Sequence, residues 1–532
     1  MDRSFDVMCV LSIGVVICLT GYVIGMWQYN FFSMKKVKFV PPYPFVGNIA
    51  PLLLKTRSFP DMVQDWYRKL RRHSFGGIYN FLSPIVILKD PHLIKRILVK
   101  DFEYFVNRPG IITEDVDPLL GNCLMSLKGK QWKEMRSVLD PTFSPKMLKH
   151  MVGLISKCGL QMTEHLSERS GDEILTLNMK EFFSRFVSDV IASCGFGMEC
   201  DSFKQPDNIF YKMAKTVHNV ASRPNMILWR NLVSPRLFQL LKVQRLPTKV
   251  HDYFKSLVYN TMKFREVEDI VRPDMIHLLM QMRGEVSGDE EETKIASEET
   301  EKRHETVDER LVAQAVLFIL AGLDSSTTLL CWASHLLATH PDVQLRLSNE
   351  IETVLGEKNG KLTYEELGNM KYLDMVLSET LRLFPPTVMT ERVCVKSYTI
   401  NETGPDPSFV LPKGQVVWIP IFPLHRDPKH FSEPERFDPE RFSDENKPRI
   451  KPFTYLPFGA GRRSCIGSDL AFLLAKVALV HLISSSTLHV VSKTKTRIRF
   501  DKDQLTLSNE NGFWLGVEPK NKTSSKSSSN LR

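Results

Sequence analysis

From Val7 to Trp27 the chain runs for 21 residues without a charge, nearly all of them apolar. As a helix that run is long enough to cross a hydrocarbon core of about 30 Å. Beyond residue 50 the pattern changes. Apolar positions recur every three or four residues in long blocks broken by Pro, Gly or Asn, which predicts helix after helix. In the longest block, Glu309 to His340, the centre is apolar around most of its circumference. Such a helix is buried or crosses a membrane. Gln314 and Asp324 interrupt it, which favours a core helix. Within it Phe318, Ala321, Gly322 and Ser325 fall at i, i+3, i+4 and i+7, hence on one face. The β-prone runs, such as Ile78 to Leu88 and Gln415 to Ile419, are short and few. The pattern as a whole predicts a mainly α fold with a small β region. Two segments have no apolar face. Gly284 to Thr306 is acidic and polar and reads as a surface loop. Lys520 to Arg532 is Ser-rich and basic and reads as a disordered tail.

The start of the chain distinguishes an uncleaved anchor from a signal peptide. A signal peptide has a basic start and a shorter apolar stretch. Here Asp2, Arg3 and Asp6 precede the run, and Lys35, Lys36 and Lys38 follow it. By the positive-inside tendency the lysine side, and with it the large body, faces the cytosol. Pro41, Pro42 and Pro44 then make a stiff extended spacer. The expected organisation is a transmembrane anchor over 1–30, a basic and Pro-rich hinge over 31–50, a single body over 51–519 and the tail over 520–532.

Composition adds little: 532 residues, 43% hydrophobic and 25% charged, with 32 Phe for a large core. The nine cysteines are scattered, without a Cys-x-x-Cys pair, so reduced thiols are expected. The net charge of +9 suits an acidic partner or an anionic membrane. No basic block with interleaved aromatics suggests nucleic acid.

The most specific chemistry lies in Phe458-Gly459-Ala460-Gly461-Arg462-Arg463-Ser464-Cys465-Ile466-Gly467. Its glycines permit a tight turn, and an apolar helical run starts near Leu470. A cysteine between such a turn and a helix start meets backbone N–H donors and the positive helix end, which favour its thiolate. Three other readings stand beside a thiolate ligand. A dinucleotide loop would want glycine where Ser464 stands and a preceding strand. Covalent c-type haem attachment needs Cys-x-x-Cys-His. A structural buried cysteine would not need these glycines and arginines.

This stretch resembles the haem-binding signature of the cytochromes P450, Phe-x-x-Gly-x-Arg-x-Cys-x-Gly, at all its fixed positions. Glu379-Thr380-Leu381-Arg382 resembles the family's Glu-x-x-Arg motif, Pro439-Glu440-Arg441-Phe442 the segment that supplies a second arginine, and Trp132 with Arg136 its Trp-x-x-x-Arg. The anchor, the proline hinge and the Glu-Thr-Leu-Arg-Leu-Phe-Pro-Pro wording are similar to microsomal P450s, closest to animal, insect-type xenobiotic-metabolising ones. The resemblance covers nearly the whole chain after the hinge.

It implies the P450 fold, a haem b held by Cys465 as axial ligand, and a catalytic domain on the cytosolic side of the endoplasmic reticulum. Trp132, Arg136, Arg392, Arg463 and Phe458 would contact the haem, the arginines through its propionates. Glu379, Arg382 and Arg441 would form a buried structural cluster. Ala321-Gly322-Leu323-Asp324-Ser325-Ser326 resembles the oxygen-activation motif, with Asp324 and Ser325 relaying protons. Ser325 stands where threonine is usual; it keeps the hydroxyl and loses the methyl that restricts its rotamers. The implied pocket walls include Ile111, Phe210, Phe318, Ala321, Val388 and Phe513, mostly apolar, as a lipophilic substrate requires. Met226 to Leu241, rich in Met, Leu, Trp and Phe, reads either as ordinary packing or as a membrane-dipping segment beside a substrate entrance.

The implied reaction inserts one oxygen atom from dioxygen into a lipophilic molecule. Electrons would come from NADPH through a separate P450 reductase, with cytochrome b5 as a second donor. Lys128, Lys130, Lys133 and Arg462 are candidates for docking the reductase. Two rivals remain: a P450 that rearranges a bound peroxide, and a haem-binding or sensing protein without catalysis.

Overall fold

The computed structural model describes residues 20–520 other than 21, 24, 28, 111–112, 115, 171–172, 222–245, 273, 289–297, 357–361 and 402–404. Among the described residues the longer helices are α1 (Phe59–Lys69), α2 (Gly129–Leu139), α3 (Pro145–Ser170), α4 (Met179–Phe196), α5 (Ile209–Ala221), α6 (Thr248–Val267), α7 (Met275–Gly288), α8 (Glu298–Thr339), α9 (Pro341–Gly356), α10 (Lys371–Leu383) and α11 (Ser468–Ser485). The strands are β1 (Phe75–Asn80), β2 (Ser83–Leu88), β3 (Leu175–Asn178), β4 (Thr390–Val393), β5 (Tyr398–Ile400), β6 (Phe409–Leu411), β7 (Val416–Ile419), β8 (Ser486–His489) and β9 (Trp514–Pro519). The fold is mainly helical with small sheets, as the hydrophobic pattern predicts.

Local chemistry sets the helix ends. The Ser58 hydroxyl accepts from the Asp61 N–H at the start of α1, with Pro60 in the first turn. The Asn178 side chain accepts from the Lys180 N–H to start α4, and Gly197, at φ 69°, ends it in the left-handed conformation. Helix α8 is the spine, packing against α4, α5, α6, α10 and α11. Toward its C-terminal end Trp332 stacks on Phe384, ring centroids 3.8 Å apart, and its Nε1–H donates to the Leu507 carbonyl at 2.6 Å.

The four-stranded sheet has the order β1-β2-β7-β4, with β2 and β7 parallel and the other pairs antiparallel. It carries Arg392 on β4, opposite Val417 of β7. A three-stranded sheet has the order β3-β9-β8, and β5 pairs with β6. Inside α4, Asp189 is buried and accepts from the Ser202 N–H at 2.8 Å and the Ser202 hydroxyl at 2.5 Å. Burial nevertheless raises its pKa to about 6.

Three expectations need correction or bounding. The acidic segment Gly284–Thr306 is not simply a loop, since α7 runs on to Gly288 and α8 begins at Glu298. Its Glu, Lys and Ala content is helix-forming even without an apolar face. The spacer over 31–50 does not stand free of the body. Val40 N–H donates to the Gly77 carbonyl and Gly77 N–H to that of Lys38, adding the chain to β1, while Phe32 is fully buried. The buried Asn48 amide donates to the carbonyls of Val40 and Pro41, and its oxygen accepts from Tyr79 N–H. Most of Val7 to Trp27, all of Met226 to Leu241 and the tail after 520 lie outside the described residues. Two described helical stretches are long and apolar enough to cross a membrane, Glu309–Thr339 and Ser468–Ser485, and both are mostly buried inside the protein.

Candidate functional site

The Cys465 turn is built from backbone. Cys465 N–H donates to the Phe458 carbonyl at 2.9 Å, and Ser464 N–H to that of Gly461 at 3.0 Å. Gly459 and Gly461 both sit at φ 72°. A Cβ on Gly461 would lie 2.1 Å from the Leu98 carbonyl oxygen, so only glycine lets the turn approach that strand of backbone. Gly467 then caps α11. Two arginines clamp the turn from outside it. Arg136, on α2, donates to the Ser464 carbonyl at 2.9 Å and also pairs with Asp140 at 2.7 Å. Arg108 donates to the Arg463 carbonyl at 2.9 Å.

Cys465 is accessible to solvent, yet its thiol is crowded by protein. Together these describe a thiol facing a recess. Burial raises its pKa; the Gly467 N–H, Arg108 and Arg136 lower it, and Asp469 raises it. The donors expected to favour a thiolate are present, but burial outweighs them. A bound metal cation would displace the proton.

Beside the thiol lies a group of buried arginines. Arg463 rests its guanidinium 3.9 Å from the centroid of the buried Trp132 ring and donates to the carbonyls of Val106 and Leu127 at 2.9 Å. Arg392 is fully buried and donates to the Glu391 carbonyl at 2.8 Å and the Thr390 hydroxyl at 3.2 Å. Burial first, then repulsion from Arg108 and Arg463, holds its pKa well below the ordinary value. Arg463 is lowered by burial, with Arg108 and Arg136 adding to it. Guanidinium keeps its proton regardless, so these shifts register an unfavourable field. The Nε atoms of Arg108 and Arg392 are buried without a hydrogen-bond partner. Buried cations with orphaned donors, offset only in part by the Glu391 carboxylate, are costly. They fit a group that brings two carboxylates beside a metal, as haem does.

On α10 the Glu379–Arg382 pair is bidentate, with both contacts at 2.7 Å and both side chains fully buried. Arg382 also donates to the carbonyls of His425, Pro434 and Arg436. Arg441 approaches Glu379 at 3.4 Å, completing the expected three-residue cluster, and the Asp438 N–H donates to the same carboxylate at 3.0 Å. Phe458 is half-buried, its ring 6.2 Å from that of Phe472, and lines a cavity of about 520 Å³ with Phe442, Phe453 and Tyr455.

On α8, Ala321 is exposed while Ile319 and Leu323 on either side are buried, so this helix has one open face at its centre. The Ser325 hydroxyl donates to the Ala321 carbonyl at 2.6 Å, which occupies its proton and leaves its lone pairs free. Asp324 does not meet Ser325. Its Oδ1 lies 3.5 Å from Nε2 of His218 on α5. Gly322 faces Ile191 of α4.

The expected pocket walls divide. Ala321 is open, and Phe318 is partly buried, its ring 6.0 Å from Phe143. Phe210 instead packs into the core against Phe196 and Phe254. Phe513 is buried edge-on against Trp332, and Val388 is also buried. All three are buried, as core side chains and the walls of an enclosed pocket both are. Ile111 lies outside the described residues. Arg108 and His218 were missed, because their partners are distant in sequence and neither sits in a motif.

A cytochrome P450 family model matches residues 38–515. "Cytochrome P450 9e2" of Blattella germanica is 46% identical over 94% of this chain and 96% of its own length. "Probable cytochrome P450 9f2" of Drosophila melanogaster is 37% identical over 92% and 95%. "Cytochrome P450 6k1" of Blattella germanica is 32% identical over 95% and 97%. Matched along almost its whole length by a family model and by insect relatives, this chain belongs to the cytochrome P450 family of monooxygenases, which carry haem b on a cysteine thiolate.

Proposed function

We propose that this chain is a membrane-anchored monooxygenase for lipophilic small molecules, xenobiotics or endogenous lipids, with electrons drawn from NADPH through P450 reductase. The observation that carries the reading is the recess itself: an accessible Cys465 thiol beside buried arginines with unpartnered donors. Cys465 holds the iron, and Arg108, Arg136, Arg392 and Arg463 hold the propionates. Bound there, haem activates dioxygen. Ser325 and Asp324 bring protons to the open face of α8 around Ala321. Glu379, Arg382 and Arg441 keep the floor of the recess rigid.

Lys128, Lys130, Lys133 and Arg462 are exposed around α2 and the Cys465 turn, a surface suited to an acidic reductase, with cytochrome b5 as a second donor. Residues 1–30 anchor the chain in the endoplasmic reticulum with the body in the cytosol. The packed segment after residue 31 then fixes the body close to the bilayer.

The test is reconstitution of the full chain with haem, reductase and NADPH against a panel of lipophilic compounds. Product formation at the expense of NADPH and dioxygen is expected. Turnover of hydroperoxides without NADPH would favour a peroxide-rearranging enzyme, and haem binding without turnover of any compound a sensor.

A further inference from the structure

Asp324 is the acid in the oxygen-side motif, yet its nearest ionisable neighbour is not on α8. His218, on the facing helix α5, puts Nε2 at 3.5 Å from Asp324 Oδ1. The two side chains are nearly enclosed, 13% and 11% exposed, so each sits at the edge of water rather than in it. Apart from Asp324, the charged groups acting on His218 are Lys180 at the start of α4 and Lys215 on α5 itself. Both lysines oppose a charge on the imidazole. Lys180 also reaches the Ser508 hydroxyl at 3.2 Å, and Lys215 is drawn to Glu181 at 2.9 Å. Asp324 is thus the group that supports an imidazolium here. On the other side, the Ser325 proton is occupied by the Ala321 carbonyl, so Ser325 is not the donor that recharges Asp324.

We propose that His218 is a positioning residue for proton delivery: it holds Asp324 at the wall of the recess and returns to it each proton that Asp324 gives up. In that return the Nε2–H bond of the imidazolium breaks and an O–H bond forms at Oδ1. The neutral imidazole then takes a proton from the water that reaches its exposed edge. A histidine suits this task because its charge changes within the physiological range. Burial, opposed by Asp324, holds the His218 pKa below its ordinary value. The charged form is therefore scarce at neutral pH and grows as pH falls, so delivery should improve on mild acidification. The inference rests on the proposed role of Asp324 in proton delivery.

The test uses the full-length, haem-loaded chain with four substitutions: His218→Gln, His218→Phe, Asp324→Asn and Ser325→Ala. Gln keeps a donor for Asp324 but cannot pass a proton; Phe removes both. The first measurement is independent of turnover. With ring-labelled histidine in the carbon monoxide complex, the His218 signal is assigned by its loss in His218→Gln and titrated by NMR. Its midpoint should fall by about one pH unit in Asp324→Asn and stay put in Ser325→Ala. The second is product per NADPH across about pH 6–8. The parent should couple better toward low pH, whereas His218→Gln should be severalfold lower and flat, with His218→Phe no better. If the midpoint ignores Asp324→Asn, the pair does not exist and the inference falls. If Asp324→Asn uncouples turnover but His218→Gln matches the parent profile, the inference alone falls. If Asp324→Asn couples like the parent, the role of Asp324 falls and takes the inference with it.

Discussion

Glu379 and Arg382 lock together through two contacts of 2.7 Å at a depth where neither side chain is exposed. The spacing of i, i+3 on α10 brings them together, and the carbonyls of His425, Pro434 and Arg436 absorb the remaining guanidinium donors. Replacing Glu379 by Ala strands Arg382 in the interior at a cost of about 3–5 kcal/mol. The expected result is a chain that expresses with little haem, measured as haem per polypeptide and as a lowered thermal midpoint. Full haem content with an unchanged midpoint would mean the cluster contributes nothing to the floor of the site.

Cys465→Ala should abolish the thiolate-type Soret band of the reduced carbon monoxide complex. Cys465→Ser, which keeps a small polar group in the recess, should bind haem more weakly and fail to restore that band. A parent-like spectrum from either variant would assign the ligand elsewhere.

Arg392 separates the stability of the empty protein from its affinity for haem. Its buried guanidinium repels Arg108 and Arg463 and leaves Nε unpartnered. Arg392→Met removes that burden, so the haem-free protein should melt no lower than the parent. Haem should nevertheless leave the variant faster, because a propionate partner is gone. Dissociation to an apomyoglobin acceptor and melting of both forms check the opposite signs.

Ser325→Ala removes the hydroxyl that bonds the Ala321 carbonyl. NADPH consumption should persist while product per NADPH falls and hydrogen peroxide rises. Ser325→Thr should couple as well as the parent or better, since the added methyl restricts the rotamer. Product and peroxide per NADPH decide between the three proteins.

Asp189 makes stability pH-dependent in an unusual direction. Its carboxyl titrates at about 6 in the folded protein because of burial, above the ordinary carboxylate value. Between about pH 4 and 6 the folded chain therefore holds a proton that the unfolded chain has lost. Stability from this residue falls as pH rises through that window, by about 2–3 kcal/mol at most. Asp189→Asn should flatten the dependence, gaining on the parent more at pH 7 than at pH 4.5 in thermal melts. An equal difference at both pH values would mean Asp189 is charged throughout.

Most of the secondary structure and the centre of the site were legible because their geometry is local. Glu379 and Arg382 share a turn, Trp132 and Arg136 share a face, and the Cys465 turn needs its glycines in place. What escaped was long-range. Arg108 meets the Cys465 turn more than three hundred residues away, and His218 meets Asp324 across two helices. Resemblance places a residue along the chain but not its neighbours, and the ring contacts of Phe210 with Phe196 and of Phe513 with Trp332 are visible only in the fold. The acidic stretch after Gly284 lacks an apolar face, yet helix propensity alone extends α7 and α8 into it. The proline-rich spacer reads as free chain until Gly77 offers it a strand to join.

Strand β9 lies between β3 and β8, and the Phe513 carbonyl just before it accepts from Met179 N–H, where α4 begins. The strand that joins the two edges of that sheet is thus made after both of them. Synthesis must pass β9 before α4, and through it the spine helix, can be tied at this end. A message truncated shortly before Trp514 would leave β3 and β8 as two unjoined edges, and quality control would meet an exposed template for misassembly.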